Sequence, residues 1–184
     1  MKDRTGMVIK VDSDTELRQL EHSDAVDIFH AIDTQREYLG KWLPFVEFTK
    51  ELSDSEKFVD MVINAPYDKF EYVFTIRKAG EFAGLIGFRD TDGFKRKTEI
   101  GYWLSEKYQK QGIMTKSVAK LCDFAFKRLK LNMVIIRCAV GNTASRKIPE
   151  RLGFDLSGIQ PQGEVLTGGI YTNLAVYIKL FPNK

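Results

Sequence analysis

The chain has few of the residues on which several common chemistries depend. Its 184 residues include two cysteines, Cys122 and Cys138, and two histidines, His22 and His30. Two cysteines in a chain of this length indicate neither a disulfide framework nor a cysteine-based metal site. The histidines lie outside polar clusters, which argues against a Ser-His-Asp hydrolase and against a zinc enzyme. We therefore expect chemistry that requires no metal.

Long apolar runs and a strong excess of one charge are also missing. No stretch approaches the roughly 18 uncharged apolar residues of a membrane-spanning helix. The first four residues, Met1–Arg4, lead into no signal-peptide core. The formal net charge of +3 is too small to indicate nucleic-acid binding by itself. We therefore expect a cytoplasmic globular protein that binds neither membranes nor nucleic acid directly.

The length favours one domain with a core of its own. We predict that this domain spans residues 10–181 and follows a flexible segment at residues 1–9. The predicted elements are a strand, two helices, three strands, a helix, a strand, a helix and two strands. Strand–helix–strand units in the middle require parallel neighbours, whereas hairpins at the ends require antiparallel ones. The expected fold is therefore α/β, with a central mixed sheet and helices on both faces.

The most informative stretch runs from residue 98 to residue 118. Ile100, Tyr102 and Leu104 alternate with other residues as in a strand, and an amphipathic helix pattern follows. Between strand and helix, residues 109–114 place unpaired backbone N–H groups at a helix start. Gly112 has no side chain to keep an anion away, so this turn is suited to a phosphate. The alternative is an ordinary connection between a strand and a helix.

A second segment, residues 142–154, predicts a short helix that ends at Gly153. Ser145 lies near its start, where its side chain can act as a helix cap. Pro149 falls inside the predicted helix and lacks the N–H that an interior position requires. We therefore expect either a kink or a late start of this helix.

The two segments together resemble the signatures of the GNAT superfamily of N-acetyltransferases. Gln109-x-x-Gly112-x-Met114 is similar to the loop that binds the acyl-CoA pyrophosphate, although Met114 occupies a position where Gly or Ala is usual. Gly-x-Met-Thr resembles a variant found in ribosomal-protein N-acetyltransferases of the Rim type. Asn142-x-x-Ser145 followed by Leu-Gly-Phe resembles the second GNAT signature. The resemblance covers roughly residues 10–181, and it implies the acyl-CoA N-acyltransferase fold.

The resemblance also implies acetyl-CoA as cosubstrate. Its pyrophosphate would lie on the amides of residues 111–115, and its pantetheine arm would extend along residues 103–105. The residues implied at the cofactor are Trp103, Leu104, Ser105, Gln109, Lys110, Gln111, Gly112, Ile113, Met114, Thr115, Asn142, Ser145 and Arg146. At the acceptor, a Trp-Leu-Pro segment similar to that of the Rim-type enzymes points to Trp42 and Phe45, together with Tyr171.

For catalysis, we expect an amine to attack the thioester directly. Glu164 and Glu99 are the candidate bases, because Gln-x-Glu-x-Leu around Glu164 resembles the Rim-type pattern and Glu99 occupies the register where many GNAT enzymes keep their base. Glu164 is the preferred candidate for an α-amine, whose pKa of about 7.7–8.0 needs only a modest base. Ser145 would donate a proton or a hydrogen bond to the leaving thiolate, or would serve only as a helix cap.

Three functions remain open at this point. The chain could acetylate the N-terminal α-amine of a ribosomal protein, as the resemblance implies. It could instead acetylate a small molecule such as a polyamine, an amino acid or an aminoglycoside, or bind acyl-CoA as a sensor without turnover. We also expect a homodimer or a larger even assembly, because strand 170–181 would expose an apolar outer edge in a monomer.

Overall fold

A mixed sheet runs through residues 6–181, the part of the chain that the computed structural model describes. Its strands are β1 (Val8–Lys10), β2 (Thr15–Gln19), β3 (Val73–Lys78), β4 (Glu81–Asp92), β5 (Lys97–Leu104), β6 (Met133–Ala139), β7 (Asp155–Leu166) and β8 (Ile170–Leu180). The helices are α1 (Asp24–Asp33), α2 (Arg36–Gly40), α3 (Leu52–Ile63), α4 (Ile113–Lys127) and α5 (Thr143–Arg151). The strand order is β1-β2-β3-β4-β5-β6-β8-β7, so the predicted α/β class with a mixed sheet is confirmed.

The two central strands, β5 and β6, are parallel and pair over a short length only. Three facing pairs join them: Lys97 with Met133, Thr98 with Val134, and Glu99 with Ile135. Beyond these pairs β5 continues on its β4 partner, while β6 continues on its β8 partner. The strands therefore splay apart after residue 99. Within the described sheet, the facing edges of β5 and β6 are open from that point.

Helices cover the two faces of the sheet and bury its apolar side chains. On one face α4 contributes Val118 and Leu121, which are fully buried in a cluster with Phe74 and Ile100. On the other face α1 and α3 contribute a second cluster, in which Ile28 and Val59 pack with Trp103. Full burial of such a side chain contributes about 1.5–3 kcal/mol to stability. The two apolar clusters therefore hold β5 in place from both faces of the sheet, while the edge of β5 that faces β6 stays open.

The C-terminal strands correct one prediction. β8 pairs with β6 along one edge and with β7 along the other, so the expected open outer edge at residues 170–181 is wrong. The strand that forms this outer edge of the sheet is therefore β7 and not β8. At the other end, residues 1–5 of the segment expected to be flexible lie outside the described residues, and Val8–Lys10 form β1. No helix in the described part of the chain is long and apolar enough to cross a membrane.

Candidate active site

Two cavities meet where β5 and β6 splay apart. The first, about 460 Å³ in volume, is bounded by the start of α4 and is named here the helix-start cavity. The second, about 590 Å³, lies beneath the aromatic segment 42–45 and is named the flap cavity. The residues that line both cavities are Leu43, Tyr102, Trp103, Asn142 and Ser145. A molecule in one cavity can therefore reach a molecule in the other at this junction.

Backbone N–H groups give the helix-start cavity its anion-binding character. Gly112 is the N-terminal cap of α4 with a φ of +73°, a left-handed conformation that glycine adopts without strain. The first backbone hydrogen bond of the helix runs from the N–H of Lys116 to the carbonyl of Gly112, at 3.0 Å. The amides of residues 113–115 precede that bond and lie at the positive end of the helix dipole. This arrangement is suited to phosphate groups.

Cationic side chains strengthen that character. Lys110, Lys147 and Arg151 line the same cavity. Lys147 and Arg151 are four residues apart on α5, so they project from one side of that helix. The cavity thus combines helix-start amides with three positive charges, which suits a ligand carrying several phosphates.

The open edge of β5 supplies a second kind of contact. Trp103 and Leu104 belong to the part of β5 that no longer pairs with β6, and both line the helix-start cavity. A strand edge with unpaired N–H and C=O groups can bind an extended ligand through backbone-type hydrogen bonds. The cavity can therefore hold an elongated molecule with amide groups at one end and phosphates at the other.

A tyrosine and a serine connect across the junction. The hydroxyl of Tyr102 donates to the backbone carbonyl of Ser145 at 3.1 Å, and the Ser145 hydroxyl donates to the Tyr102 oxygen at 3.3 Å. Burial raises the pKa of Tyr102 far above its ordinary value, so its hydroxyl stays protonated at neutral pH. Both side chains are therefore proton or hydrogen-bond donors beside the meeting point of the cavities.

Pro149 explains why the Ser145 carbonyl is available. In an α-helix this carbonyl would accept a hydrogen bond from the N–H of residue 149, and proline has no N–H. The helix begins at Thr143, directly after Asn142, whose side-chain oxygen accepts from the Ser145 N–H at 3.2 Å. The late start that Pro149 suggested is therefore not found. Instead, the proline leaves a carbonyl that accepts from Tyr102.

Aromatic side chains form one wall of the flap cavity and are held in place by packing. Trp42 and Phe45 line it, and the Trp42 ring lies against Gly141, where a Cβ atom would come within 3.1 Å of the ring. The Thr167 hydroxyl donates to the carbonyl of Gly40 at 2.8 Å, which ties the flap to the turn between β7 and β8. Glu164 of β7 lines the same cavity as the flap.

Glu99 does not have the surroundings of a general base. It is 3% exposed, and its carboxylate accepts from Nε of Arg89 at 2.8 Å and from Nε of Arg137 at 2.6 Å. Hydrogen bonding to Glu99 is also the main cause that raises the pKa of Arg137 above its ordinary value. A carboxylate with both oxygens engaged by guanidinium groups is poorly placed to accept a proton from an amine. The geometry therefore disfavours the assignment of Glu99 as a base.

The structure brings most of the sequence-predicted residues into the two cavities. Those that line the helix-start cavity are Trp103, Leu104, Gln109, Lys110, Gly112, Ile113, Met114, Thr115, Asn142 and Ser145. Those that line the flap cavity include Trp42, Phe45 and Glu164. Those that line neither cavity are Ser105, Gln111, Arg146, Glu99 and Tyr171.

Each exception has a local cause. Ser105 is buried, and its N–H donates to the carbonyl of Ala83 on the β4 side. The Gln111 side chain folds back onto the carbonyl of Lys107 at 3.1 Å. Tyr171 is 64% exposed at the start of β8.

Arg146 lines neither cavity and makes contacts within the protein. Its Nε donates to the Tyr177 hydroxyl at 3.0 Å, and its Nη1 donates to the carbonyl of Val140 at 3.3 Å. The residues that face the cavity instead are Lys147 and Arg151. Their spacing of four on one helix was the signal that could have identified them from the sequence.

A cysteine that the sequence did not place at the site also lines the flap cavity. Cys138 lies at the end of β6, and burial raises the pKa of its thiol. A protonated thiol is a poor nucleophile, because the thiolate is the reactive form. This environment agrees with direct transfer rather than a covalent acyl-cysteine intermediate.

The helix start suited to phosphates lies beside a splayed parallel strand pair. A second cavity adjoins it, with hydroxyl groups at the junction, and this arrangement suits an α/β enzyme that transfers an acyl group. Residues 14–155 match the family described as Acetyltransferase (GNAT) domain. The chain therefore belongs to the GNAT acetyltransferases, as its sequence motifs indicated.

Three comparisons show how widely the similarity extends. YdaF of Bacillus subtilis (strain 168) is 33% identical over 172 residues, which cover 91% of this chain and 92% of YdaF. The ribosomal-protein-serine acetyltransferase of Escherichia coli (strain K12) is 27% identical, with 96% of this chain and 98% of the relative covered. A further relative is the solved structure of RimL, a ribosomal L7/L12 alpha-N-protein acetyltransferase in complex with coenzyme A. It superposes on this chain with a TM-score of 0.89 and is 26% identical to it. The superposition covers 95% of this chain and 98% of the RimL chain.

Proposed function

We propose that this protein transfers the acetyl group of acetyl-CoA to the N-terminal α-amine of a ribosomal protein. One observation carries the proposal: two cavities of different chemistry meet at Tyr102, Asn142 and Ser145, where a thioester and an amine can come together. The names of the E. coli relative and of RimL support a ribosomal-protein acceptor over a small molecule. They likewise support a catalyst rather than a sensor without turnover.

The helix-start cavity is the proposed site of acetyl-CoA. Its pyrophosphate would bind the amides of residues 113–115, with Lys110, Lys147 and Arg151 neutralising the phosphates. Its pantetheine arm would extend along the open edge of β5 at Trp103 and Leu104. This placement directs the thioester toward the junction with the flap cavity.

Glu164 is the proposed base for the amine. It lies on β7, is half-buried and lines the flap cavity together with Ser145. An α-ammonium group has a pKa of about 7.7–8.0, so a carboxylate acting directly or through water can remove its proton at neutral pH. The neutral nitrogen then attacks the thioester carbonyl carbon and a carbon–nitrogen bond forms. The nitrogen releases its second proton to water, and the carbon–sulfur bond breaks.

The leaving thiolate requires a proton or a hydrogen bond. Ser145 and Tyr102 both carry hydroxyl groups at the junction, and they are hydrogen-bonded to each other. We assign the donor role to Ser145, which regains its proton from water, while Tyr102 orients the Ser145 hydroxyl. The raised pKa of Tyr102 keeps this hydroxyl protonated throughout the working pH range.

We further propose that residues 10–181 act as one domain in the cytoplasm and that the protein is a homodimer. The hairpin of β7 and β8 supports the dimer, because Leu156, Ile159 and Ile170 are apolar and are 52%, 47% and 64% exposed. Pro161 and two bulges interrupt β7, which hinders pairing of its backbone with another strand. We therefore expect the partner to cover the apolar side chains of the hairpin.

The acceptor is tested with acetyl-CoA and a panel of amines. We expect the protein to acetylate a ribosomal protein and mass spectrometry to place the acetyl group on its N-terminal residue. Polyamines, free amino acids and aminoglycosides should be poor acceptors in the same assay. Acetylation confined to one of these small molecules, or to lysine side chains, would contradict the proposed acceptor.

Glu164 is tested by its conversion to glutamine. Glu164→Gln should lower kcat by about 10²–10⁴-fold, because a general base contributes roughly that factor. Raising the pH should partly restore the rate, since more of the α-amine is then neutral without a base. Affinity for acetyl-CoA, measured by calorimetry, should stay unchanged. A wild-type rate for Glu164→Gln would show that the base has been assigned wrongly.

Assembly is tested by light scattering during gel filtration. We expect a mass of twice the 21.1 kDa chain for the native protein and a monomer for Ile159→Asp. The matched control is Phe94→Asp, because Phe94 is 96% exposed on the turn between β4 and β5 and should leave the mass unchanged. A native monomer at micromolar concentration would refute the dimer.

A further inference from the structure

A charged cluster at the base of the flap cavity has no role in the transfer step described above. Glu99 is 3% exposed and accepts hydrogen bonds from Nε of both Arg89 and Arg137. The Nη2 group of each arginine contacts the same carboxylate. One buried carboxylate therefore orients two guanidinium groups, and both arginines line the flap cavity.

The two arginines retain donors that Glu99 does not use. A guanidinium group has five N–H donors, and Nη1 of Arg89 and of Arg137 has no acceptor among residues 6–181. Asp90 lies 3.6 Å from Nη2 of Arg137, but its side chain is 77% exposed and is screened by solvent. Asp54 and Glu164 line the same cavity, and Glu164 also acts electrostatically on Arg137. The attraction for an anion therefore comes from these unused guanidinium donors rather than from an excess of positive charge.

A second observation points to a polar ligand in the same cavity. Ser55 of α3 is 2% exposed and lines the flap cavity, yet its Oγ has no hydrogen-bond partner within the described residues. Buried hydroxyl groups are nearly always hydrogen-bonded in folded proteins. An oxygen or nitrogen atom of a bound ligand would supply the missing partner.

We propose that Arg89 and Arg137 bind a carboxylate of the acceptor, and that this carboxylate is an acidic side chain within the first few residues of a polypeptide. The inference rests on the proposed function, because it requires the α-amine of the same molecule to reach Glu164 and Ser145. Guanidinium groups suit this task, since their planar donors match the two oxygens of a carboxylate. Glu99 is then a positioning residue, which fixes the arginines rather than touching the acceptor.

The test compares acceptors that differ in one charge. Peptides with a free N-terminus and either Asp or Asn at the second or third position are titrated into the protein saturated with coenzyme A. Calorimetry of this complex measures acceptor binding without any acetyl transfer. A parallel assay with acetyl-CoA and mass spectrometry measures kcat/KM for the same peptides. Serine and serinamide form a second pair. Serine carries the α-carboxylate of a free amino acid, whereas serinamide carries no carboxylate.

We expect an Asp peptide to bind about 10- to 100-fold more tightly than its Asn counterpart, because a charge-assisted hydrogen bond is lost in the latter. Equal affinity within every pair would overturn the inference. If serine binds more tightly than serinamide and no peptide binds, the arginines bind a carboxylate, but the proposal that this carboxylate belongs to a polypeptide is refuted. Binding that prefers Asp with no acetylation of any peptide would keep the site and refute the proposed function.

Variants of the protein locate the effect. In Arg89→Gln and Arg137→Gln, the ratio of the affinities for the Asp and the Asn peptides should fall to near one. Arg89→Lys should retain part of the preference for the Asp peptide. The matched control is Lys95→Gln, which removes one positive charge from the exposed turn between β4 and β5 and should keep the full ratio. An unchanged ratio in both glutamine variants would overturn the assignment of the arginines.

Discussion

The short pairing of β5 with β6 is the constraint on which the site depends. Only three residue pairs join these parallel strands, and each strand then follows its other neighbour. Because apolar clusters hold the sheet on both faces, the strands cannot close the gap without disturbing the core. The gap leaves an unpaired strand edge beside the start of α4, and it lets the two cavities meet. A fully paired sheet of the same strands would have neither feature.

Local backbone chemistry turns this gap into a site with directed donors. Gly112 takes a left-handed conformation that starts α4 with its amides toward one cavity. Pro149 removes the one N–H that would normally occupy the Ser145 carbonyl, and that carbonyl then accepts from Tyr102. Gly112 and Pro149 are unfavourable inside a regular helix. Here they direct the first amides of α4 toward one cavity and set the position of the hydroxyl pair at the junction. A proline inside a helix costs about 3 kcal/mol of stability. Functional sites commonly retain a local cost of this size.

The sequence predicted what depends on neighbouring residues and missed what depends on distant ones. The strand before Gly112 and the helix start after it follow from local pattern, and the structure has them. The predicted cap was Ser145, whereas the structure has Asn142 as the cap one turn earlier. The order of the last two strands was wrong, because a hairpin pattern does not say which strand joins β6. Glu99 was a candidate base in sequence, yet its two arginine partners come from β4 and β6 and could not be foreseen. The motif pointed to Arg146, whereas Lys147 lines the cavity, because one step along a helix rotates a side chain by about 100°.

Amide hydrogen exchange tests most directly whether acetyl-CoA occupies the gap between the strands. The protein is compared with and without coenzyme A, and peptides from β5 and from the start of α4 are followed by mass spectrometry. The account predicts slower exchange on binding in the segments 102–104 and 113–115. The amides of Tyr102 and Leu104, which point away from β4, and those of residues 113–115 then donate to the ligand. The β3–β4 turn, at residues 78–81, should exchange at the same rate in both states. Calorimetric binding of coenzyme A with no change of exchange at residues 102–104 or 113–115 would contradict the account.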